Sequence, residues 1–199
     1  KIVKPLIKPG MTELQVKNKL ESVMADFGAS GPSFDIIVGV GPNAAKPHHV
    51  TSLAKVKNNE ALLIDFGCVL DNYCSDITRT YFVGNQPTEE FKEVYDIVER
   101  AQKAGVKAVR EGVLTGAVDK VCRDIITEAG YGDRFIHTTG HGIGIEIHET
   151  PRLKVGGIDI LHENMAVTVE PGIYLPGKFG VRIEDTVLVT KKGCEILTK

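Results

Sequence analysis

Apolar residues recur at helical spacing after Thr12 (Leu14, Val16, Leu20, Val23, Met24) and stop at Gly28, which predicts an amphipathic helix. Thr12-Glu13-Leu14-Gln15 has the form of a capping box, in which the first and fourth residues each satisfy a backbone N–H of the first turn. The period then shortens. Residues 34–40 read as β, and a loop rich in Pro, Asn and His covers residues 41–52. Residues 61–66 and 76–83 read as two strands, with Asp71-Asn72 supplying the turn between them. Thr88 caps a long helix to about Arg110, and a second helix from about Gly116 to Ala129 is ended by Gly130. The remainder is β-like again, with turns at Gly156-Gly157, Pro176-Gly177 and Lys192-Gly193.

This pattern repeats. Asn59-Glu60-Ala61-Leu62-Leu63-Ile64-Asp65-Phe66-Gly67 matches Asn164-Met165-Ala166-Val167-Thr168-Val169-Glu170-Pro171-Gly172: Asn, Ala, an apolar run, an acid and Gly fall at one constant offset. The helix ending at Gly28 is echoed by the one ending at Gly130, and His48 by His148. Two repeats are too few for a solenoid. They predict an α+β fold of two halves, residues 9–87 and 112–197, facing each other across a pseudo-twofold axis. The seam between them is the natural place for a site.

Length and composition narrow the picture. The 199 residues suffice for one domain and are too few for two ordinary cores. With 42% hydrophobic and 25% charged residues the chain is globular rather than disordered. A net charge of -2 offers no basic field to nucleic acid or anionic lipid. No apolar run approaches the roughly 20 residues of a membrane span. The opening Lys-Ile-Val-Lys-Pro is no signal peptide; it reads as the end of a helix, with sequence upstream expected. Cys68, Cys74, Cys122 and Cys194 form no C-x-x-C pair and read as buried or half-buried thiols in a reducing cytosol.

The acids carry the chemistry. Asp65 and Asp76 lie on the two arms of a hairpin turning near residues 70–72, which sets them nearly opposite one another. Glu170 and Glu184 have their midpoint at Gly177, inside a second turn. Opposed like charges among apolar residues destabilise a sheet and raise each other's pKa. Four carboxylates carry about -4, which two divalent cations would balance. His141 sits among Gly140, Gly142 and Gly144, where backbone can approach closely, and His137 and His148 flank it. Four carboxylates and one imidazole suit manganese, iron, cobalt or zinc. Two such ions sharing a water can make it a nucleophile near neutral pH, which points to hydrolysis. The pair His48-His49 is a weaker signal, resting on its match to His148.

Leu63-Ile64-Asp65-Phe66-Gly67, Tyr73-Cys74-Ser75-Asp76-Ile77-Thr78-Arg79-Thr80, Gly140-His141-Gly142-Ile143-Gly144, Val169-Glu170-Pro171-Gly172 and Val181-Arg182-Ile183-Glu184-Asp185 together resemble the "pita-bread" metallopeptidases. That family includes methionine aminopeptidase, aminopeptidase P and prolidase. The resemblance runs from about Pro9 to Leu197. It implies the pita-bread (creatinase/aminopeptidase) fold, with curved antiparallel sheet inside and helices outside, and two divalent ions, manganese first, on Asp65, Asp76, His141, Glu170 and Glu184. Phe135-Ile136-His137-Thr138-Thr139-Gly140-His141 and Gly180-Val181-Arg182-Ile183-Glu184-Asp185-Thr186 resemble the Xaa-Pro branch, prolidases and aminopeptidases P. In such enzymes a hydroxide bridging the metals attacks the scissile carbonyl and the acid at the Glu170 position shuttles the proton. Carried across, His148 and His48 would hydrogen-bond the substrate carbonyl and the tetrahedral intermediate. His137 would line the proline pocket, and Arg182 would orient Asp65.

Two departures stand out. Asn72 replaces the Gly that the family places before the tyrosine, a change that Asn tolerates because it can adopt the left-handed conformation. The N-terminal domain that prolidases and aminopeptidases P carry, which helps close the site and dimerise, is not among these 199 residues. The expected function is hydrolysis of the bond before proline in cytoplasmic peptides, with a homodimer left open. The alternatives are a methionine aminopeptidase, against which His137 and the Arg182 context speak, and a metal-free peptide-binding relative, against which the complete ligand set speaks.

Overall fold

The computed structural model describes residues 3–198. Lys4–Leu6 forms a single 3-10 turn where the sequence predicts the end of a longer helix; Lys1 and Ile2 lie outside the described residues. Helix α1 (Glu13–Asp26) starts at the predicted capping box: Thr12 Oγ1 accepts from Gln15 N at 3.1 Å and Gln15 Oε1 accepts from Thr12 N at 2.8 Å. Its inward face differs from the one predicted. Leu14 is 39% exposed, whereas Glu13 is fully buried beside Val16 and Leu20, because the Glu13 carboxylate meets a set of buried donors described below.

Strands β1 (Gly31–Pro32) and β2 (Ile37–Val40) follow, so the run predicted over residues 34–40 pairs only at its end. Phe34 and Asp35 line a cavity instead. Strands β3 (Glu60–Phe66), β4 (Cys68–Leu70), β5 (Tyr73–Cys74) and β6 (Ile77–Val83) make one long hairpin. Its tip is Asp71-Asn72, as predicted, with φ of 50° and 68°, the two positive angles that a tight right-twisted hairpin turn demands. Strand β3 lies between β2 and β6, all antiparallel.

Helix α2 (Glu89–Ala108), capped by Thr88 Oγ1 accepting from Phe91 N at 3.2 Å, crosses to the second half. There α3 (Thr115–Glu128) leads into β7 (Gly140–Gly142), β8 (Glu149–Leu153) and β9 (Ala166–Val169). The hairpin β10 (Gly172–Leu175) and β11 (Phe179–Arg182), then β12 (Asp185–Val189) and β13 (Cys194–Ile196), complete the chain. The sheet runs β13-β12-β9-β7-β8, and β10–β11 continues the β9–β12 register out to the turn at Gly177.

The halves are related residue by residue. The order α1, β2, β3, β6 repeats as α3, β7, β9, β12. Asn59 and Asn164 both take positive φ (62° and 70°), and each N–H bonds the end of its half's outgoing strand, Val83 O at 2.6 Å and Val189 O at 3.0 Å. Across the seam Thr80 Oγ1 donates to Arg182 O at 2.9 Å, while its mate Thr186 Oγ1 donates to Asp76 O at 2.8 Å. Each half packs its own core. Val16, Leu20, Val38, Leu62 and Ile64 fill the first; Val94, Val98, Val118, Cys122, Val167 and Val187 fill the second. Ala44, Leu63 and Tyr174 close the gap between them. Helix α2 approaches α3 closely because Gly105 faces Cys122, where a Cβ would strike the sulfur. No helix among the described residues is long and apolar enough to cross a membrane.

Candidate metal centre

The two hairpins point their acids into one cavity of about 550 Å³ at the seam, lined by Asp65, Asp76, His141, Glu170 and Glu184. Asp76, His141 and Glu184 can each offer a ligand atom within 4.8 Å of one another, and all three are buried. His141 Nε2 lies 3.5 Å from Asp76 Oδ2 and 3.5 Å from Glu170 Oε1. The registers flanking Glu170 (Val169 with Asp185, Gly172 with Arg182) set it opposite Glu184, as the midpoint at Gly177 predicts. The first hairpin differs. Asp65 pairs with Thr78, and the register through Phe66–Ile77 and Val69–Cys74 leaves Asp76 opposite Gly67. The two Asp residues are therefore diagonal neighbours, not nearly opposed as predicted for a turn near residues 70–72, because the turn centre falls between Asp71 and Asn72.

Strand β7 holds His141 tightly. A Cβ at Gly140 would run into Thr168 O, and one at Gly142 into Thr150 O, so the flanking glycines let neighbouring backbone close in. His141 Nδ1 donates to Gly142 O at 2.9 Å, which leaves Nε2 facing the acids. Asp65 Oδ1 and Glu184 Oε1 are buried acceptors with no hydrogen-bond partner. Burial pushes the Asp76 carboxyl up to about 6, the charge of Asp65 adding to it. Burial likewise pushes Glu170 up to about 7, with the charges of Asp76 and Asp65 contributing, and Glu184 well above the usual carboxylate range. His141 goes up: burial disfavours its charge, but the hydrogen bond to Asp76 and the charge of Glu170 outweigh that. Repelling carboxyls with orphaned oxygens, plus one imidazole, fit divalent cations of borderline hardness.

Arg182 changes the charge count. Its Nη2 donates to Asp65 Oδ2 at 2.6 Å, Nε to Thr78 Oγ1 at 3.1 Å and Nη1 to Tyr174 OH at 2.7 Å. With the buried guanidinium included the four carboxylates carry about -3 when ionised, not -4. Thr78 Oγ1 donates in turn to Glu184 Oε2 at 2.7 Å.

The histidines separate. His48, His137 and His148 line the cavity. His148 stands edge-on to His141 with ring centroids 4.5 Å apart; burial and then the charge of His141 hold its pKa down. His137 Nδ1 donates to Thr138 O at 2.8 Å, so Nε2 accepts from Tyr174 OH at 2.7 Å and the ring is neutral. Burial, reinforced by Arg182, lowers its pKa to about 3. His49 turns away, its Nε2 donating to Glu13 Oε2 at 2.8 Å.

Several site residues escape sequence reasoning. Tyr174 joins Arg182 to His137, and burial pushes its phenol up to about 12. Arg123 on α3 forks onto Asp119 with two bonds of 2.9 Å and donates to Phe135 O and His137 O. Asp119 also accepts from Thr139 Oγ1 at 2.9 Å, and Thr139 O accepts from Glu170 N at 2.8 Å. This clamp seats both His137 and the backbone under Glu170. Arg152, paired across β7–β8 with His141, adds a cation to the cavity wall.

Known proteins share this fold. Residues 1–191 match metallopeptidase family M24. The chain is 46% identical over 193 residues to an Xaa-Pro dipeptidase of Pyrococcus furiosus, covering 97% of this chain and 55% of that one. Among solved structures, an Xaa-Pro dipeptidase from Bacillus anthracis superposes with a TM-score of 0.97 at 48% identity, over 100% of this chain and 56% of that one. An X-Pro aminopeptidase from Thermotoga maritima does so with a TM-score of 0.96 at 45% identity, again over 100% and 56%. The chain thus spans about half the length of the curated relatives it matches.

Proposed function

The chain belongs to metallopeptidase family M24 and has its pita-bread fold, and on that premise we propose that it is the catalytic part of an Xaa-Pro peptidase, cleaving the bond before proline. The observation that carries the reading is the neutral His137, tied through Tyr174 and Arg182 to an acid cluster with two orphaned oxygens in a single cavity. Asp65, Asp76, His141, Glu170 and Glu184 would hold two divalent ions, manganese in preference to cobalt, zinc or iron. When bound, the ions supply Lewis acidity, which makes water a nucleophile near neutral pH and polarises the scissile carbonyl.

The chain's own residues do the rest. Glu170 takes a proton from the attacking water and returns it to the departing proline nitrogen as the C–N bond breaks. His148 and His48 donate hydrogen bonds to the carbonyl oxygen and to the tetrahedral intermediate. His137, uncharged, lines the wall against the proline ring. Arg182 holds Asp65 aimed by donating to its Oδ2, while Arg152 is placed to meet a substrate's terminal carboxylate, which favours dipeptides. A cytoplasmic setting and a homodimer belong to the same reading.

Ala-Pro, Ala-Pro amide and Met-Ala-Ser assayed with manganese, cobalt and zinc test it. Ala-Pro is expected to turn over fastest. Preferential release of Met from Met-Ala-Ser overturns the Xaa-Pro assignment, and equal turnover of Ala-Pro and its amide overturns the role given to Arg152.

A further inference from the structure

Residues 41–52 form a strap along the cavity, which Pro47 and His48 line, with little regular structure of its own, a 3-10 turn at Gly41–Ala45 followed by turn and coil. His48 enters the cavity from this strap, although a histidine on an irregular segment has no lattice of strand hydrogen bonds to aim it. The strap is fastened on its inner side by Arg182, whose Nη1 donates to Pro47 O at 3.4 Å, and by the close approach of Gly180 to the Ala44 backbone. Thr51 ties the strap's far end to β2, its Oγ1 donating to Ile36 O at 2.7 Å and accepting from Val38 N at 3.0 Å, and Ser52 O accepts from Leu14 N at 3.1 Å, but the group that collects most of the strap's donors is Glu13. Glu13 Oε1 accepts from Val40 N at 2.9 Å and Asn43 Nδ2 at 3.0 Å. Glu13 Oε2 accepts from His49 Nε2 at 2.8 Å, Ser52 N at 2.8 Å and Ser52 Oγ at 2.6 Å.

Five donors on one fully buried carboxylate is a costly arrangement, since a charged group taken from water must be compensated in full. A helix that needed only a favourable charge in its first turn would leave that charge in solvent. The donors come from both ends and the middle of the strap, and one of them is the immediate neighbour of His48. We propose that Glu13 is a positioning residue for the peptidase reaction: by gathering residues 40–52 it sets where His48 stands over the scissile carbonyl. The inference rests on the Xaa-Pro reading for the reaction that His48 serves; the fastening itself stands on the hydrogen bonds.

Glu13→Gln, His48→Ala and the double variant decide it. Turnover of Ala-Pro with manganese, metal content, and hydrogen–deuterium exchange of the metal-free protein are measured for each. Glu13→Gln is expected to raise exchange across residues 40–52 while leaving residues 60–83 and 166–189 as protected as before. It is also expected to lower kcat by about tenfold or more, as a small misplacement of a reacting group does, with metal content unchanged. In the His48→Ala background the same change should add less than about twofold, because both substitutions remove one effect. Unchanged exchange in residues 40–52, or a kcat loss that persists without His48, overturns the proposal. Should Glu13→Gln fail to fold, His49→Gln and Ser52→Ala remove donors one side chain at a time and are read by the same criteria. A wild-type chain that cleaves no Xaa-Pro peptide defeats the functional reading, and the exchange data alone then decide whether Glu13 holds the strap.

Discussion

The hairpin that carries Asp65 and Asp76 and the one that carries Glu170 and Glu184 are built on matching backbones but arm the seam differently. Asp65 and Glu170 occupy equivalent places on β3 and at the end of β9. On the returning strands the equivalence breaks: Thr78 stands where the second half has Glu184, and Asp76 where it has Arg182. These mates meet. Thr78 donates to Glu184, and Arg182 crosses to the Asp65 of the other half. The contact has the isologous form of a twofold dimer interface, each patch meeting its own copy. Because both copies lie on one chain, a position can differ from its mate, and the seam carries a lopsided set of acids and one arginine rather than a symmetric ring. The difference shows that the backbone supplies the place and the broken symmetry supplies the chemistry.

Removing that asymmetry should have graded effects. Glu170→Gln is expected to lower turnover by about 10³-fold, ~4 kcal/mol, while the metal-free fold persists, since a buried carboxyl pushed up to about 7 already spends much of its time protonated at neutral pH. Retained activity would assign the proton transfer to another residue. Arg182→Met takes away the cation that answers Asp65 and should cost about 3 kcal/mol in denaturant unfolding of the metal-free protein, as loss of one partner of a buried pair does. A loss under about 1 kcal/mol would mean that Asp65 finds its compensation elsewhere.

The next effect depends on pH. Asp76 and Glu170, near 6 and 7 when folded, hold protons that unfolded carboxyls release near about 4. Their contribution to metal-free stability is present in full below about pH 4 and is lost as pH rises through 6 to 7. Divalent ions take the place of those protons, so the gain in Tm on adding manganese should grow from pH 5 to pH 8. Affinity should rise by up to about tenfold per pH unit for each proton displaced. A gain that is flat with pH contradicts the assignment of these carboxyls to the metals. The smallest effect tests where the halves agree: Asn59→Ala and Asn164→Ala should each cost ~1 kcal/mol, equally, because both residues sit in the left-handed region. Unequal costs would show that the repeat is less even than its backbone.

Much of this was legible in advance because it is local. Thr12, Thr88, Asp71-Asn72 and Gly177 announce caps and turns by their own chemistry, and the repeat from Asn59 to Gly67 lies in one short stretch. The cavity-lining acids and histidines stand out as polar residues among glycines and apolar runs. What escaped depends on distant partners. Glu13 and Asp119 look like solvated helix charges until the loops they anchor are folded over them. The repeat singles out His48, but nothing in the sequence shows that its neighbour His49 turns away to the Glu13 carboxylate. The offset of Asp65 from Asp76 is a matter of where a two-residue turn is centred, which the spacing of the acids alone does not reveal.

The close crossing of α2 and α3 has a practical consequence. Cys122 is fully buried there, its Sγ donating to Ala101 O at 3.3 Å, and burial, aided by the charge of Asp119, pushes its thiol up to about 12. Almost none of it is thiolate at neutral pH, so an alkylating reagent can reach it only when the second core comes apart. Cys68, Cys74 and Cys194 are only partly buried and can be blocked beforehand. Pulse alkylation of the remaining thiol then serves as a clock for opening of the C-terminal half, readable by mass.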